Sequence, residues 1–506
     1  MSATRHAARL DDLRAACDRY LEAADRELYL HHSGQKPALD LTAVHGEHGA
    51  PFTTAAFAAV LEARGDADDV EERRRLTTLA MMVGELCMER ELAPVADEIG
   101  TAQAESTIEV DGRTIGYYGA TVAIQNEADR ARRGRIDAAR LEAVERLNPL
   151  RATLLRRHHD LVRELGYPGY VDFYSDLKGI DLRGLGATMR EFLDRTAGLW
   201  REAVTPWFEE FAGVPLDEGR RHDLSAMLRL RDRDSWFGRD DMVGALRTTL
   251  LGLGVALDDQ PNVHLDLEER PAKSPRAFCA SVRVPDEVYL VLRPTGGYQD
   301  WRALFHEAGH AEHFAHVDAA RPVEDRRLGD NSVTEAFAFT FEHLLVDETW
   351  IRERTGATGD GVDAFLRRVH TIYLYFIRRY AAKIVYELDL HGAGPDALDG
   401  SAVRYRELLD EALVVGHDGR TFLEDLDAGF YCAQYLRAWM LEAQLKERWR
   451  TLHGERWWRP GAAGAELRSL WSLGQALPAD ALAAELGMGG LGIEALERRI
   501  RDGLAA

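Results

Sequence analysis

The chain has 506 residues, 46% hydrophobic and 29% charged, with a formal net charge of -22 at pH 7. Such a chain can bury a large core without disulfide or metal staples, so a metal it carries is expected to serve function rather than folding. The acidity argues against a nucleic-acid partner, because phosphate binding needs a basic footprint; it fits either a well-solvated surface or an acidic channel for cationic substrates, which net charge does not separate.

The N-terminus, MSATRHAARLDDLRAACDRY, carries charges throughout and has no apolar core, so it does not read as a secretory signal. Residues 8–30 place Leu10, Leu13, Cys17, Tyr20 and Leu21 at helical spacing. Residues 72–95, 130–165 and 186–212 continue that pattern, with Arg and Glu on the outward positions. Between them, residues 106–118 alternate around Asp111-Gly112, which predicts a β-hairpin. A second β segment spans roughly 276–293, as two strands joined by a turn at Pro285-Asp286. The loop Pro294–Gly297 follows, and Asp300 can cap the next helix. Further helices are expected over 333–346, 362–391, 402–414 and 421–449, closed by Trp457-Trp458-Arg459-Pro460. No repeat and no Pro/Ser-rich linker divides the chain. The expectation is a mainly α protein forming one cooperative body.

The four cysteines, Cys17, Cys87, Cys279 and Cys432, are far apart and form no CxxC pair. Neither a disulfide framework nor a cysteine zinc site is expected, and a reducing compartment fits best. No stretch approaches the ~20 apolar residues that span a bilayer. A cytoplasmic protein without a membrane partner is the expectation.

The helix after the glycine loop carries His306-Glu307-Ala308-Gly309-His310, an HExxH motif. Positions i and i+4 lie on one helix face, so the two imidazoles can converge on one zinc ion. Glu307 beside them can take a proton from a water at the metal. A catalytic zinc usually has three protein ligands, and Glu335, in an otherwise apolar segment, is the candidate for the third. The bland alternatives are two partly exposed histidines and a carboxylate stabilised by a helix dipole. Tyr431 and Tyr435 share a helix face. They suit either core packing or the donation of a hydrogen bond to an oxyanion. His313 and His316 read as helix surface or as support behind the ligands. Glu342 reads as solvated or as orienting a ligand histidine. Gly296-Gly297-Tyr298 reads as a mobile loop over the cleft or as a plain turn. His158 and His159 read as surface, and Trp457 and Trp458 as packing.

With these residues the chain resembles the thimet oligopeptidase and oligoendopeptidase F family of zinc peptidases, closer to the bacterial oligoendopeptidase F side. Angiotensin-converting enzyme is similar at a greater distance. The family motif HExGH matches residues 306–310, and its glutamate ligand, 25 residues past the second histidine, matches Glu335. Its edge strand resembles 276–281, its FYxxQY segment Phe430 to Tyr435, and further segments Leu165–Tyr170 and Leu470–Gly474. The likeness runs from about 160 to the C-terminus and is strongest over 274–345 and 420–445.

This resemblance implies a large helical two-lobed body with a deep central channel and a small sheet edging the zinc-binding helix. It implies an N-terminal helical lobe over 1–265 and a catalytic region over 266–506. It implies one zinc per chain on His306, His310 and Glu335, with Glu307 as general base. Short peptides are the implied substrates, laid along Phe278, Ala280 and Ser281 by β-augmentation. Tyr435, and after it Tyr431, is the implied oxyanion donor. The sequence departs from the pattern where relatives carry a histidine shortly before that tyrosine: here stand Leu423 to Asp425, and His417 is the nearest histidine. His417 is therefore either the displaced oxyanion histidine or an exposed loop residue. Cys432-Ala433 also replace a common aromatic.

Two other classes compete with peptide hydrolysis. A di-iron carboxylate oxidase could use Glu307-x-x-His310, but it needs a second ExxH that the chain lacks. A peptide-binding protein, or a hydrolase dedicated to one biosynthetic substrate, could keep the same fold. The sequence gives no indication of oligomeric state.

Overall fold

In the computed structural model, which describes residues 2–355, 360–395 and 398–505, the chain is mainly α-helical. Four helices open it: α1 (Ser2–His32), α2 (Leu41–His48), α3 (Thr54–Asp66) and α4 (Val70–Glu105). A hairpin of β1 (Thr107–Val110) and β2 (Arg113–Gly116) follows. Then come α5 (Tyr117–Asn126), α6 (Arg130–Glu164), α7 (Tyr170–Lys178), α8 (Leu182–Ala212), α9 (Arg221–Met227) and α10 (Met242–Gly252). A three-stranded sheet joins β3 (Val263–Asp266), β4 (Phe278–Arg283) and β5 (Glu287–Val291) in the order β3-β5-β4. The remaining helices are α11 (Tyr298–Ala315), α12 (Asn331–Glu342), α13 (Glu348–Thr355), α14 (Asp360–Ala393), α15 (Ser401–Leu413), α16 (Tyr431–His453), α17 (Ala462–Trp471), α18 (Ala479–Glu485) and α19 (Glu494–Ala505). Among the described residues no helix is long and apolar enough to cross a membrane.

The hairpin forms as expected. Asp111 and Gly112 both take positive φ, the conformation of the two-residue turns that match strand twist. The second β segment also forms, but the sheet gains a strand that the pattern did not predict. Val263–Asp266 pairs in parallel with β5, Val263 opposite Val288 and Asp266 opposite Val291. Four residues are too few to show alternation, and the partner lies across a long connection.

Two helix predictions need correction at their ends. The segment expected over 333–346 is helical to Glu342 and closes with a 3-10 turn, His343–Val346. The helix expected from 421 starts only at Tyr431, because Gly429 and Phe430 both adopt left-handed backbone. At Gly429 a side chain has no room: a Cβ there would stand 2.6 Å from the Tyr174 ring, while the Gly429 N–H donates to the Tyr170 hydroxyl at 2.9 Å. The break sets the phase of α16 and so the direction of its tyrosines.

The principal hydrophobic core is shared along the whole chain, from Leu13 and Phe57 through Phe305, Phe337 and Trp350 to Leu441 and Ile500. Within it α11 packs on α12, and Gly309 is the point of closest approach. A Cβ on Gly309 would meet Ala338 Cα at 2.5 Å and Phe337 O at 2.6 Å. β4 lies between α1 and α11, which puts the sheet edge beside the helix carrying the HExxH motif.

Candidate metal centre

His306 and His310 stand one turn apart on α11, with ring centres 4.9 Å apart. Glu335, on the second turn of α12, meets them because glycine at 309 lets the helices close. Glu335 Oε2 lies 3.4 Å from His306 Nε2 and 3.6 Å from His310 Nε2. Ligand atoms bound to one tetrahedral ion at ~2.0–2.1 Å are about 3.3 Å from each other, so these separations suit a zinc-sized cation.

The outer nitrogen of each imidazole is already engaged. His306 Nδ1 donates to Glu342 Oε2 at 2.8 Å, and Glu342 Oε1 accepts from Arg302 Nε at 2.5 Å. A carboxylate can only accept, so the proton sits on Nδ1 and the Nε2 lone pair of His306 is left facing Glu335. His310 Nδ1 is 2.9 Å from Thr334 Oγ1, which can hold the same tautomer. The reading of Glu342 as a residue that orients a ligand histidine fits this contact.

Glu335 Oε1 accepts from the Tyr431 hydroxyl at 2.8 Å. Its Oε2 is buried and has no hydrogen-bond partner among the described residues. A buried acceptor left this way is costly, and here two imidazole nitrogens face it. The arrangement calls for positive charge at its centre. Burial alone would raise the Glu335 carboxyl, yet His310 and His306 reverse this and hold it well below the usual carboxylate range. Burial disfavours charge on His306, yet Glu335 and Glu342 outweigh it and raise the imidazole to about 10.

Glu307 projects beside the pair toward the sheet, and its Oε2 accepts the Cys279 N–H at 2.9 Å. Burial raises its carboxyl, partly offset by His306 and His310 and by that amide. The bond also shows which way the Cys279 backbone faces. Phe278, Cys279 and Ala280 stand opposite Val291, Leu290 and Tyr289 of β5. Successive residues of an antiparallel ladder turn their backbone groups alternately to the partner strand and away. Since the Cys279 N–H points away from β5, the backbone of Cys279 faces the free edge, whereas the backbones of Phe278 and Ala280 serve the sheet. The Ser281 carbonyl already accepts from Arg327 at 2.9 Å.

The tyrosines of α16 differ in their engagement. Tyr431 is bound to Glu335, while the Tyr435 hydroxyl makes no hydrogen bond among the described residues. The Tyr435 ring is held by Tyr431, Tyr380 and Phe339, with ring centres 5.1, 5.5 and 5.9 Å away. Burial raises both phenols far above their ordinary value, so both remain donors at neutral pH.

Other predicted residues lie elsewhere. His417 is buried, and its Nδ1 contacts Val415 O at 2.9 Å and Asp410 Oδ1 at 3.2 Å, so it is not an exposed loop residue and is tied to the end of α15. His313 is core rather than surface: its Nε2 lies 3.2 Å from Gly474 O, and burial lowers it to about 3. His159 is likewise buried and His158 half-buried, both lowered by burial to about 4, with His159 Nε2 2.9 Å from His391 Nδ1. Thr334, Arg302 and Cys279 were missed as participants. Strand alternation could have pointed to Cys279, whereas nothing in the sequence marks Thr334.

No family model and no curated protein sequence matches the chain. A solved structure does: a protein from Chlamydophila abortus described as a "putative peptidase". It superposes with a TM-score of 0.68 over 98% of this chain and 89% of that one, at 15% sequence identity. At that identity the likeness establishes a shared fold.

Proposed function

We propose that this chain is a zinc-dependent peptidase that hydrolyses short peptides in the cytoplasm, with His306, His310 and Glu335 holding one zinc ion per chain. The observation that carries the proposal is the buried, unpartnered Glu335 Oε2 facing two Nε2 atoms at 3.4 and 3.6 Å. The donor set, two imidazoles and a carboxylate, is that of hydrolytic zinc sites with an open position. The description of the structural neighbour points the same way.

Bound zinc would supply Lewis acidity to the scissile carbonyl and make water nucleophilic at neutral pH. The residues do the rest. Glu307, raised by burial, accepts the proton of the attacking water and passes it to the departing amine. Tyr435 donates its free hydroxyl to the oxyanion that develops on the carbonyl. The edge strand β4 aligns the extended substrate, with the Cys279 N–H held by Glu307. Tyr431 and Glu342 fix the ligands rather than the substrate. A channel between two helical lobes, with residues 266–506 supplying the chemistry, would admit short unstructured peptides.

The test is digestion of a mixed peptide library, read by mass spectrometry, with metal content measured on the same preparation. About one zinc per chain, cleavage abolished by a chelator, and cleavage lost in Glu307→Gln with zinc retained are the expected results. Two irons per chain would replace the reading by an oxidase. Zinc binding without cleavage of any peptide would leave a binding protein.

A further inference from the structure

Arg302 stands one turn before His306 on the same face of α11, and one of its three nitrogens is free. Nε donates to Glu342 Oε1 at 2.5 Å, and Nη1 reaches Gln299 Oε1 at 3.4 Å. Nη2 makes no hydrogen bond among the described residues, and it is not one of their buried, unpartnered polar atoms. With 28% of the side chain exposed, that nitrogen opens to solvent. The guanidinium lies over the Phe376 ring, 5.2 Å from its centre. Phe376 and Tyr380 are one turn apart on α14, and both are partly exposed, whereas Tyr375, Ile377, Arg378 and Ala381 are buried. The Tyr380 ring packs in turn on Tyr435, with centres 5.5 Å apart. Neither of these hydroxyls makes a hydrogen bond among the described residues, and neither is enclosed. Arg302, Phe376, Tyr380 and Tyr435 thus form one open wall beside His306.

Every free polar group on that wall is a hydrogen-bond donor, and a guanidinium cannot accept. The neighbouring cations are answered: Arg379 by Asp425, and Lys383 by Asp427 at 2.8 Å. Glu342 answers Arg302 through Nε, while its second oxygen is committed to His306. A carboxylate arriving at Nη2 gains a charge-assisted hydrogen bond and displaces none. Arg302 and His306 are four residues apart, about 6 Å along the helix axis. An extended peptide advances ~3.3–3.6 Å per residue. A carboxylate held by Arg302 therefore lies one or two residues from a carbonyl at the metal centre.

We propose that Arg302, with the Tyr380 hydroxyl, receives the C-terminal carboxylate of the substrate, so that one or two residues are removed from the C-termini of short peptides. The assignment rests on the peptidase reading given above and names the end of the substrate that is recognised.

Titration calorimetry on Glu307→Gln protein, with one equivalent of zinc chloride present, tests the recognition without turnover. The probes are N-acetyl-Ala-Phe-Ala-Leu, its C-terminal amide, and N-acetyl-Ala-Phe-Glu-Leu amide, which carries its carboxylate on a side chain. The free acid is expected to bind about 10- to 100-fold more tightly than either amide. Arg302→Met in the same background should bring the acid down to the level of its amide and leave the amide unchanged. Equal affinity for acid and amide, or no saturable heat from the acid at millimolar concentration, would overturn the assignment. So would a glutamyl amide that binds as tightly as the acid. The probe comparison needs no change at Arg302, so it stands even if Arg302→Met fails to fold. The parent enzyme should release one or two residues from the C-terminus of the acid. Failure to cleave any peptide would sink the peptidase reading alone, because the binding comparison needs no cleavage.

Discussion

Gly309 and Ala338 touch backbone to backbone: a methyl group added to Gly309 would lie 2.5 Å from Ala338 Cα. The contact is what brings Glu335 within reach of His306 and His310. Gly309→Ala must push α11 from α12 or strain both. We expect it to cost about 1–3 kcal/mol of stability, the usual range for overpacking. Zinc content should fall more than the melting temperature suggests, because all three ligands depend on that spacing. Thermal unfolding and metal analysis on one preparation check this; a variant with full zinc occupancy would refute it.

The two tyrosines of α16 should separate by function. Tyr435→Phe removes the free hydroxyl and is expected to lower kcat about 100- to 1000-fold at little cost in zinc. Tyr431→Phe removes a bond to Glu335 and should weaken zinc about 10- to 100-fold. Competition with a fluorescent chelator, beside steady-state kinetics, distinguishes them.

Glu342→Gln offers a third case. Its carboxylate holds the His306 proton on Nδ1 and is itself gripped by Arg302. The amide can present a donor to that nitrogen and so favour the wrong tautomer. Zinc affinity is expected to drop about 10- to 100-fold, with kcat per bound zinc changed less. Excess zinc in the assay should therefore restore much of the rate.

A pH dependence of stability follows from Asp425. Burial would raise its carboxyl, but Arg379, Lys383 and Arg221 hold it far below the ordinary range, and the Tyr405 hydroxyl donates to it at 2.8 Å. A carboxyl lower in the folded than in the unfolded chain favours folding above its unfolded value of ~3.9 and loses that advantage as pH falls. The deficit of Asp425→Asn against the parent should be largest at neutral pH and shrink progressively below about pH 5. Melting temperatures of both proteins between pH 7 and pH 3 provide the measurement; a constant gap would contradict it.

What could be read from the sequence was what lies close along the chain. His306, Glu307 and His310 are fixed relative to one another by helix geometry, and the hairpin at Asp111-Gly112 by its turn. The burial of Glu335 among apolar neighbours was also visible as a pattern. The remainder depends on partners far apart in sequence. His313 and His159 have no apolar signature of their own, and are inside because Gly474 and His391 happen to accommodate them. Thr334 matters only because α12 crosses α11 at one angle. Cys279 became a partner of Glu307 through strand register, and β3 was too short to announce itself.

The left-handed pair Gly429-Phe430 ties the aim of the phenols to a distant stretch of chain. Gly429 is clasped by Tyr170 and Tyr174 of α7, while every candidate ligand belongs to the later half. Transplanting that later half into another scaffold would therefore carry over the ligands but misdirect the hydroxyls. Inheritance of the whole centre requires both halves to travel together, and homologous recombination between them would be punished.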